Sequence, residues 1–436
     1  MIGVIGVLVA IALLIYLAYK GWGIIPASLL SSVLVVVTNG GNIATALGVN
    51  YTDGFKYFSG SFLLIFVFGS LFGKVMGDSG SASAVSYKLI DVFGAQKAVL
   101  VVILATAILT YGGVNLFIVI FSVYPIALIL FKAADLPKRL IVASVALGAG
   151  TFTMTALPGS PAIQNLIPSQ VLGTPPTASP VIGIVASLII FLLGYLYIMG
   201  QAKKAKKTGE YFVPGPRDNM DKLTQNDTSK LPDWKLAILP IVVVIGLIFG
   251  LKNLLDPMSV VSIALVSGIL MSYIINWNRL EKPLSTLNEG SLNSVIPLIN
   301  TAAIVGFGFV VQNVVTFQSF VKFALGLSQT FHPLVSASIA VNVIAGITGS
   351  ASGGLTIFMK TMSADYIAMG VDPEVLHRIA SIASGGLDSL PHSGAVISLL
   401  MVMGMTHKEG YKDLGIVTLI IPIIALAVSV LIGMAI

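Results

Sequence analysis

The pattern Leu-Pro-x-Ser-x-Ala occurs twice in this chain, each time inside an apolar stretch. The two copies occupy residues 157–162 and 390–395. Proline has no backbone donor and its ring collides with the preceding helical turn, so each copy is expected to interrupt a membrane helix. Backbone freed in this way is tolerated at membrane depth only where it lines a cavity or is buried in protein. Two such interruptions at matching places in the two halves predict a secondary transporter built from inverted repeats.

The composition predicts a chain that lies mostly in lipid. Of the 436 residues, 56% are hydrophobic and 10% are charged, and the mean hydropathy is +0.97. A soluble domain has roughly 25% charged residues. The apolar runs at 2–19, 181–199, 236–251 and 416–436 are long enough, or nearly so, to cross a hydrocarbon layer of ~30 Å. We therefore expect an all-α polytopic membrane protein.

The lack of cysteine excludes disulfides and thiolate metal sites. The formal net charge of +6 bears on membrane orientation and gives no reason to expect a nucleic-acid partner. The expected partners are the lipid bilayer and a small organic anion.

One polar segment, residues 201–235, divides the chain into an N-terminal repeat (1–200) and a C-terminal repeat (236–436). It carries Lys203, Lys204, Lys206 and Lys207. Lysine-rich loops next to membrane helices stay in the cytoplasm, which places this linker inside the cell. Four basic residues do not fit the positive-inside rule along the resulting path: Lys56, Lys252, Lys322 and Arg378.

Each repeat is expected to contain one re-entrant hairpin and one broken helix. The hairpins are predicted at 98–130 and 332–369, with interruptions at 110–115 and 349–354 in which Gly112-Gly113 and Gly353-Gly354 hold equivalent places, and the broken helices at 140–172 and 375–405. Two full crossings remain an alternative for the first hairpin. Four short helices would then begin near Val114, Ala162, Leu355 and Ala395.

If these four interruptions meet, four helix N-termini point into one cavity, and each offers unpaired N–H donors and a partial positive charge to an anion. Small polar groups in the same places are able to bond a carboxylate. Small residues also allow close helix packing, which is the alternative explanation. The predicted substrate-binding residues are Tyr111, Gly112, Gly113, Asn115, Thr155, Pro158, Gly159, Ser160, Ser350, Ser352, Gly353, Thr356, Ser389, His392 and Ser393.

Asp388 is the most informative single residue, because it precedes the second break and has apolar sequence on both sides. Ionisable groups at bilayer depth are costly and usually mark ion pathways. We assign Asp388 to cation coupling, with His392 as a second proton-carrying candidate. A carboxylate that only stabilises the broken helix ends is the alternative. His332, His377 and His407 fall at segment ends and receive no role.

No sequence motif of an enzyme is present. The zinc-protease, nucleophile-elbow and Walker patterns are missing, so we expect transport driven by an ion gradient, without a cofactor other than H+ or Na+ as the coupling ion. An anion channel, which would use the same helix dipoles, is the alternative from another class.

The chain resembles the gluconate permease family of the ion-transporter superfamily. The resemblance is carried by the two broken halves, the basic linker, Gly-Asp-Ser-Gly at 77–80 with Phe93-Gly94, and the tract from Asp372 through Ser384 to the second break. It implies a bacterial cytoplasmic-membrane protein, proton-linked uptake of hydroxy acids, a homodimer and a mobile, elevator-like domain.

Two departures from the gluconate-type members narrow the expected substrate. The first hairpin tip reads Tyr111-Gly112-Gly113 instead of carrying an acidic residue, and the first break lacks a histidine. The resemblance is therefore greater to the branch of short hydroxy-monocarboxylate permeases, such as 3-hydroxybutyrate transporters. Proton-coupled uptake of gluconate and other sugar acids, and sodium-coupled carboxylate transport, remain alternatives.

Overall fold

The computed structural model describes residues 2–20, 22–114, 116–215, 218, 231–251, 254–391 and 393–436. Within these residues the chain forms helices joined by short turns, and no strand occurs. Six helical stretches are long and apolar enough to cross a membrane. The predicted all-α polytopic fold is confirmed.

The first half contains two membrane-length helices, several shorter ones and both arms of the first hairpin. A π-helical stretch, Ala46–Tyr51, lies inside α3. In chain order, the helices are α1 (Ile2–Tyr19), α2 (Ile24–Thr38), α3 (Ile43–Asp78), α4 (Ser81–Phe93), α5 (Ala98–Tyr111), α6 (Leu116–Ala133), α7 (Arg139–Gly150), a single turn (Phe152–Thr155), α8 (Ile163–Leu172) and α9 (Pro180–Thr208).

The second half repeats this order. A pair of apolar helices is followed by a long helical stretch in two parts (α12 and α13), a shorter helix, a hairpin, a broken helix and a final long helix. These are α10 (Trp234–Leu251), α11 (Pro257–Asn276), α12 (Pro283–Leu292), α13 (Val295–Gln312), α14 (Val315–Leu327), α15 (Pro333–Thr348), α16 (Ala351–Thr361), α17 (Ser363–Ala368), α18 (Pro373–Ser384), α19 (Gly394–Val402) and α20 (His407–Ala435).

The packing of the helices also repeats between the halves. Helix α1 packs on α2 as α10 packs on α11, and the first hairpin arm α5 packs on α7 as α15 packs on α18. The second part of each broken helix contacts the second arm of the other half's hairpin: α8 packs on α16, and α19 packs on α6. In each of these two contacts, one repeat therefore supplies the broken helix and the other repeat supplies the hairpin arm.

The linker is shorter than the sequence predicts. Helix α9 continues to Thr208, so Lys203 to Lys207 lie on its last turns, and it ends where Gly209 takes a φ of +70°. Alanine and lysine are good helix formers, which explains why the helix extends past the apolar run. Part of the linker, 219–230, lies outside the described residues, and the division into repeats at 201–235 stays a prediction.

The two hairpin turns have different chemistry. In the first, Gly113 has a φ of +98°, which favours glycine. In the second, Gly349 has a φ of +59° and the Ser350 Oγ accepts from the Gly353 N–H at 3.2 Å. This serine cap lies within the predicted interruption at 349–354 and starts α16 at Ala351, so the predicted helix start near Leu355 is wrong.

Candidate functional site

The two broken helices meet where their first parts end. A methyl group built at Gly385, which follows α18, would lie 2.8 Å from Cγ2 of Thr155. One built at Gly346, in the last turn of α15, would lie 2.9 Å from Cβ of Leu387. The first break, the second break and the end of the second hairpin's first arm are therefore in direct contact.

The first hairpin tip is bound to the first break. The Tyr111 hydroxyl donates to the Pro158 carbonyl at 2.8 Å, and a methyl group at Gly113 would lie 3.0 Å from Cγ of Pro161. The break itself is closed by its own chain, since the Gly159 N–H donates to the Pro176 carbonyl at 2.9 Å. Together with the contact between the two breaks, these contacts bring all four predicted interruptions into one cluster.

Arg378 supplies three further hydrogen bonds at the first break and the loop after α8. Its side chain is 0% exposed. Nη1 donates to the Ala156 carbonyl at 3.2 Å, Nη2 to the Pro176 carbonyl at 3.1 Å and Nε to the Ala178 carbonyl at 3.0 Å. The apparent misfit of a basic residue at an outer membrane position is explained, because a broken helix leaves carbonyls that need donors.

His377 is also part of this network, and the interpretation that it has no specific role is wrong. Its ring is buried between Asn165, 3.0 Å from Nε2, and Thr174, 2.7 Å from Nδ1. The Asn165 amide already donates to the Ser160 and Pro176 carbonyls, so its Oδ1 is the acceptor for Nε2–H. Full burial of the ring favours the neutral imidazole, in which Nδ1 accepts from the Thr174 hydroxyl.

The second break carries the predicted coupling residue. Asp388 is half-buried, and its Oδ1 accepts from the Ser389 hydroxyl at 2.9 Å. No ion pair with this carboxylate occurs within the described chain. The carbonyls that follow accept from the start of α20: Tyr411 Oη donates to Ser389 at 3.1 Å and His407 Nε2 to Pro391 at 2.8 Å.

Several predicted hydroxyls are already engaged with the protein. Thr155 donates to the Thr151 carbonyl at 3.1 Å and Thr356 to the Ser352 carbonyl at 2.7 Å. A hydroxyl whose hydrogen is engaged can only accept further bonds, so both threonines, and Ser389, which donates to Asp388, offer acceptors here, and their part in substrate binding stays a prediction.

The hydroxyls of Ser350 and Ser352 are better placed to donate. They lie 3.4 Å apart, so whichever of them donates to the other, the hydrogen of the second hydroxyl is not used in this contact. Ser160 accepts from the Ala162 N–H at 3.2 Å and is fully buried, as is Ser393. Asn115 and His392 lie outside the described residues.

No group of three or more His, Asp or Glu side chains that would hold a metal occurs in the ranges that the structure covers. Two crossed helix breaks held by hairpin ends, in a chain with six membrane-length helices, define a polytopic membrane transporter. The two relatives described next are also called transporters.

No family model matches the chain. It is 36% identical over 454 residues to the uncharacterized transporter YxjC of Bacillus subtilis (strain 168), with 95% of each chain covered. An uncharacterized transporter of Haemophilus influenzae is 24% identical over 349 residues, covering 78% of this chain and 76% of that protein. The chain belongs to the transporter family of YxjC. The gluconate permease resemblance is not confirmed by these relatives.

Two solved structures share the fold. The YdaH transporter of Alcanivorax borkumensis, described as having an unusual topology, superposes with a TM-score of 0.54 at 15% identity, covering 89% of this chain and 87% of that one. MtrF of Neisseria gonorrhoeae, described as illuminating a class of antimetabolite efflux pumps, gives 0.51 at 17% identity, covering 90% and 83%. At these identities the likeness concerns the fold alone.

Proposed function

We propose that this transporter is a secondary active carrier that imports a small hydroxy-monocarboxylate of the 3-hydroxybutyrate type together with a proton. It would act in the cytoplasmic membrane of a bacterium. The observation that carries the proposal is the half-buried carboxylate of Asp388, which has a hydroxyl partner and no ion pair in the described residues, directly beside two crossed helix breaks. A titratable group in this position suits a carrier that couples solute to a cation.

The anion would be bound mainly by neutral donors. The first turns of α8, α16 and α19 begin at breaks, where backbone N–H groups lack partners within the helix and attract negative charge. The bonded pair of Ser350 and Ser352 adds one free hydroxyl hydrogen at the second hairpin end. Arg378, which bonds the Ala156, Pro176 and Ala178 carbonyls, is enclosed by carbonyls. These features suit one small carboxylate better than a phosphate or a tricarboxylate.

Sodium coupling is the second candidate, and one observation favours it. The Thr155 and Thr356 hydroxyls donate to their own helices and keep only lone pairs for a ligand, which suits a cation better than an anion. Proton coupling has the support of Asp388. Proton-coupled uptake of gluconate or another sugar acid keeps the same coupling with a larger substrate.

An elevator-type motion would slide the hairpins and broken helices, as one group, past α10, α11 and α13. The hairpins and broken helices meet α10, α11 and α13 through close contacts: a methyl group at Gly112 would lie 2.6 Å from Ile241, and one at Gly308 would lie 2.1 Å from Ile357. Contacts between small and apolar residues permit sliding of rigid elements. We extend the proposal to such a motion, with a homodimer as the assembly.

A binding panel with the purified protein tests the proposed substrate. Lactate, 3-hydroxybutyrate, glycerate, gluconate and citrate are titrated by calorimetry, with 1,3-butanediol as the neutral control for 3-hydroxybutyrate. The proposal predicts binding of the short hydroxy-monocarboxylates, with 3-hydroxybutyrate tightest. Exclusive binding of citrate or of the neutral diol would overturn it.

A further inference from the structure

The cations at the start of α7 and on α18 are balanced in different ways. At the start of α7, Arg139 donates from Nε and Nη2 to Glu210 at 2.8 and 2.9 Å and from Nη1 to Asp413, while Lys138 pairs with Asp218 at 2.6 Å. Each of these cations therefore has at least one carboxylate partner. The positive charge of this cluster is neutralised locally.

Arg378 has no such partner. In the part of the chain that the structure covers, it forms no ion pair, and its donors bond the carbonyls of Ala156, Pro176 and Ala178. Glu374, one turn earlier on α18, is exposed and accepts from the Ser179 N–H at 3.2 Å. Carbonyl dipoles satisfy the donors of a guanidinium but do not cancel its charge, and an exposed carboxylate is screened by solvent.

A buried uncompensated charge acts over a longer distance than an exposed one, because the surrounding protein screens it poorly. The Ala156 carbonyl that binds Nη1 is two residues from Pro158, whose carbonyl binds Tyr111 at the first hairpin tip. The charge of Arg378 therefore lies next to the part of the first break that bonds the first hairpin tip.

We propose that Arg378 is a specificity-determining positioning residue, whose buried charge makes the crossed breaks prefer an anion over a neutral solute of the same shape. It acts through the first break and does not touch the solute. The inference rests on the proposed function, since it names the group that selects the charge of the substrate. His377, which reaches the same break only through the Asn165 amide, would hold the loop without contributing to charge selection.

The test compares matched anion and neutral ligands. Calorimetric Kd values are measured on the purified full chain for 3-hydroxybutyrate and 3-hydroxybutyramide, and likewise for lactate and lactamide and for gluconate and gluconamide. The readout is the Kd of the amide divided by the Kd of the anion, taken from the pair that binds most tightly. A purely structural role would weaken both ligands of a pair alike and leave this ratio unchanged.

Arg378→Gln is expected to reduce the ratio about tenfold or more, the size expected for unit charges roughly 10 Å apart at an effective dielectric constant near 20. Arg378→Lys keeps the charge and should keep most of the ratio while lowering the melting temperature. His377→Gln, the matched control, should lower the melting temperature and leave the ratio as in the wild type.

An unchanged ratio in Arg378→Gln, or loss of the preference in folded Arg378→Lys, overturns the inference. If Arg378→Gln does not fold, Arg378→Lys decides, since a folded variant with its charge must retain the preference. A wild type that binds no anion better than its amide contradicts both the inference and the proposed function. A strong dependence on Arg378 seen only with gluconate would contradict the proposed substrate and leave the inference standing.

Discussion

The Tyr111 hydroxyl donates to the carbonyl oxygen of Pro158 at 2.8 Å and so joins the tip of the first hairpin to the first helix break. These residues are 47 positions apart in the chain. The carbonyl of Pro158 belongs to an interrupted helix, so a partner from outside that helix satisfies it. The bond makes the hairpin and the broken helix one unit.

Tyr111→Phe is predicted to weaken this unit. The substitution removes one hydrogen bond and leaves the buried Pro158 carbonyl without it, at a cost of about 1–3 kcal/mol. We expect a lower melting temperature and slower uptake in proteoliposomes. Tyr16→Phe is the control, because Tyr16 is 57% exposed. Wild-type stability and uptake in Tyr111→Phe would show that the contact has no role.

The two kinds of hydroxyl in the cluster predict different effects on substrate binding. Ser350→Ala and Ser352→Ala should each weaken carboxylate binding by about 1–3 kcal/mol, the range for a hydrogen bond to a charged group. Thr356→Val should change it little, since this hydroxyl donates to the Ser352 carbonyl. Isothermal titration with 3-hydroxybutyrate measures all three. A larger loss in Thr356→Val than in both serine variants would contradict the assignment.

Asp388→Asn is predicted to separate exchange from accumulation. An anion moving inward against the membrane potential needs a cation, since each charge across 100 mV is worth ~2.3 kcal/mol. Without the carboxylate, uptake driven by an imposed pH gradient should be lost, while exchange of substrate continues in part. Asp365→Asn, on the exposed side of α17, is the control.

Full gradient-driven uptake by Asp388→Asn would remove this residue from the coupling mechanism. Uptake by the wild type that follows sodium at constant pH would transfer the coupling role from protons to sodium.

The ion pair of Glu210 with Arg139 predicts a pH-dependent contribution to stability. Hydrogen bonding to Arg139 lowers the pKa of the Glu210 carboxyl below its usual value. A lowered pKa in the folded state stabilises the fold above the unfolded value of about 4.3, and this stabilisation is lost as the pH falls through the folded value. Because 41% of the Glu210 side chain is exposed, the contribution is at most about 1 kcal/mol.

Glu210→Gln should therefore melt at a lower temperature than the wild type at pH 7, and the difference should shrink as the pH falls below about 4. Melting curves over this range provide the measurement. Glu281→Gln, at an exposed carboxylate, is the control. A difference that grows on acidification has the wrong sign for this pair.

The sequence predicts the helix breaks closely, because proline acts on the backbone locally. Helix α8 begins at Ile163 and α19 at Gly394, each one residue from its predicted start. The helix after the second hairpin turn starts earlier than predicted because the 349–354 segment holds three glycines, and the sequence does not reveal which of them takes the positive φ. The Ser350 cap decides this in favour of Gly349.

The network around the first break was not predictable from spacing. His377 and Arg378 bond to groups 212 and 222 residues away, Asn165 and the Ala156 carbonyl, so no local pattern contains both partners. The signal that the sequence does offer is a basic residue where the positive-inside rule disfavours one. Such a residue needs a buried partner, and a broken helix with free carbonyls provides it.

Counterflow in proteoliposomes tests the central claim, that this protein is a carrier for a small carboxylate. Vesicles preloaded with unlabelled 3-hydroxybutyrate are diluted into a trace of the labelled compound, and protein-free vesicles serve as the control. The account predicts a transient accumulation of label inside the preloaded vesicles, which a carrier with alternating access produces and a channel does not. Equal label uptake with and without preloading, in protein that binds the substrate, would contradict it.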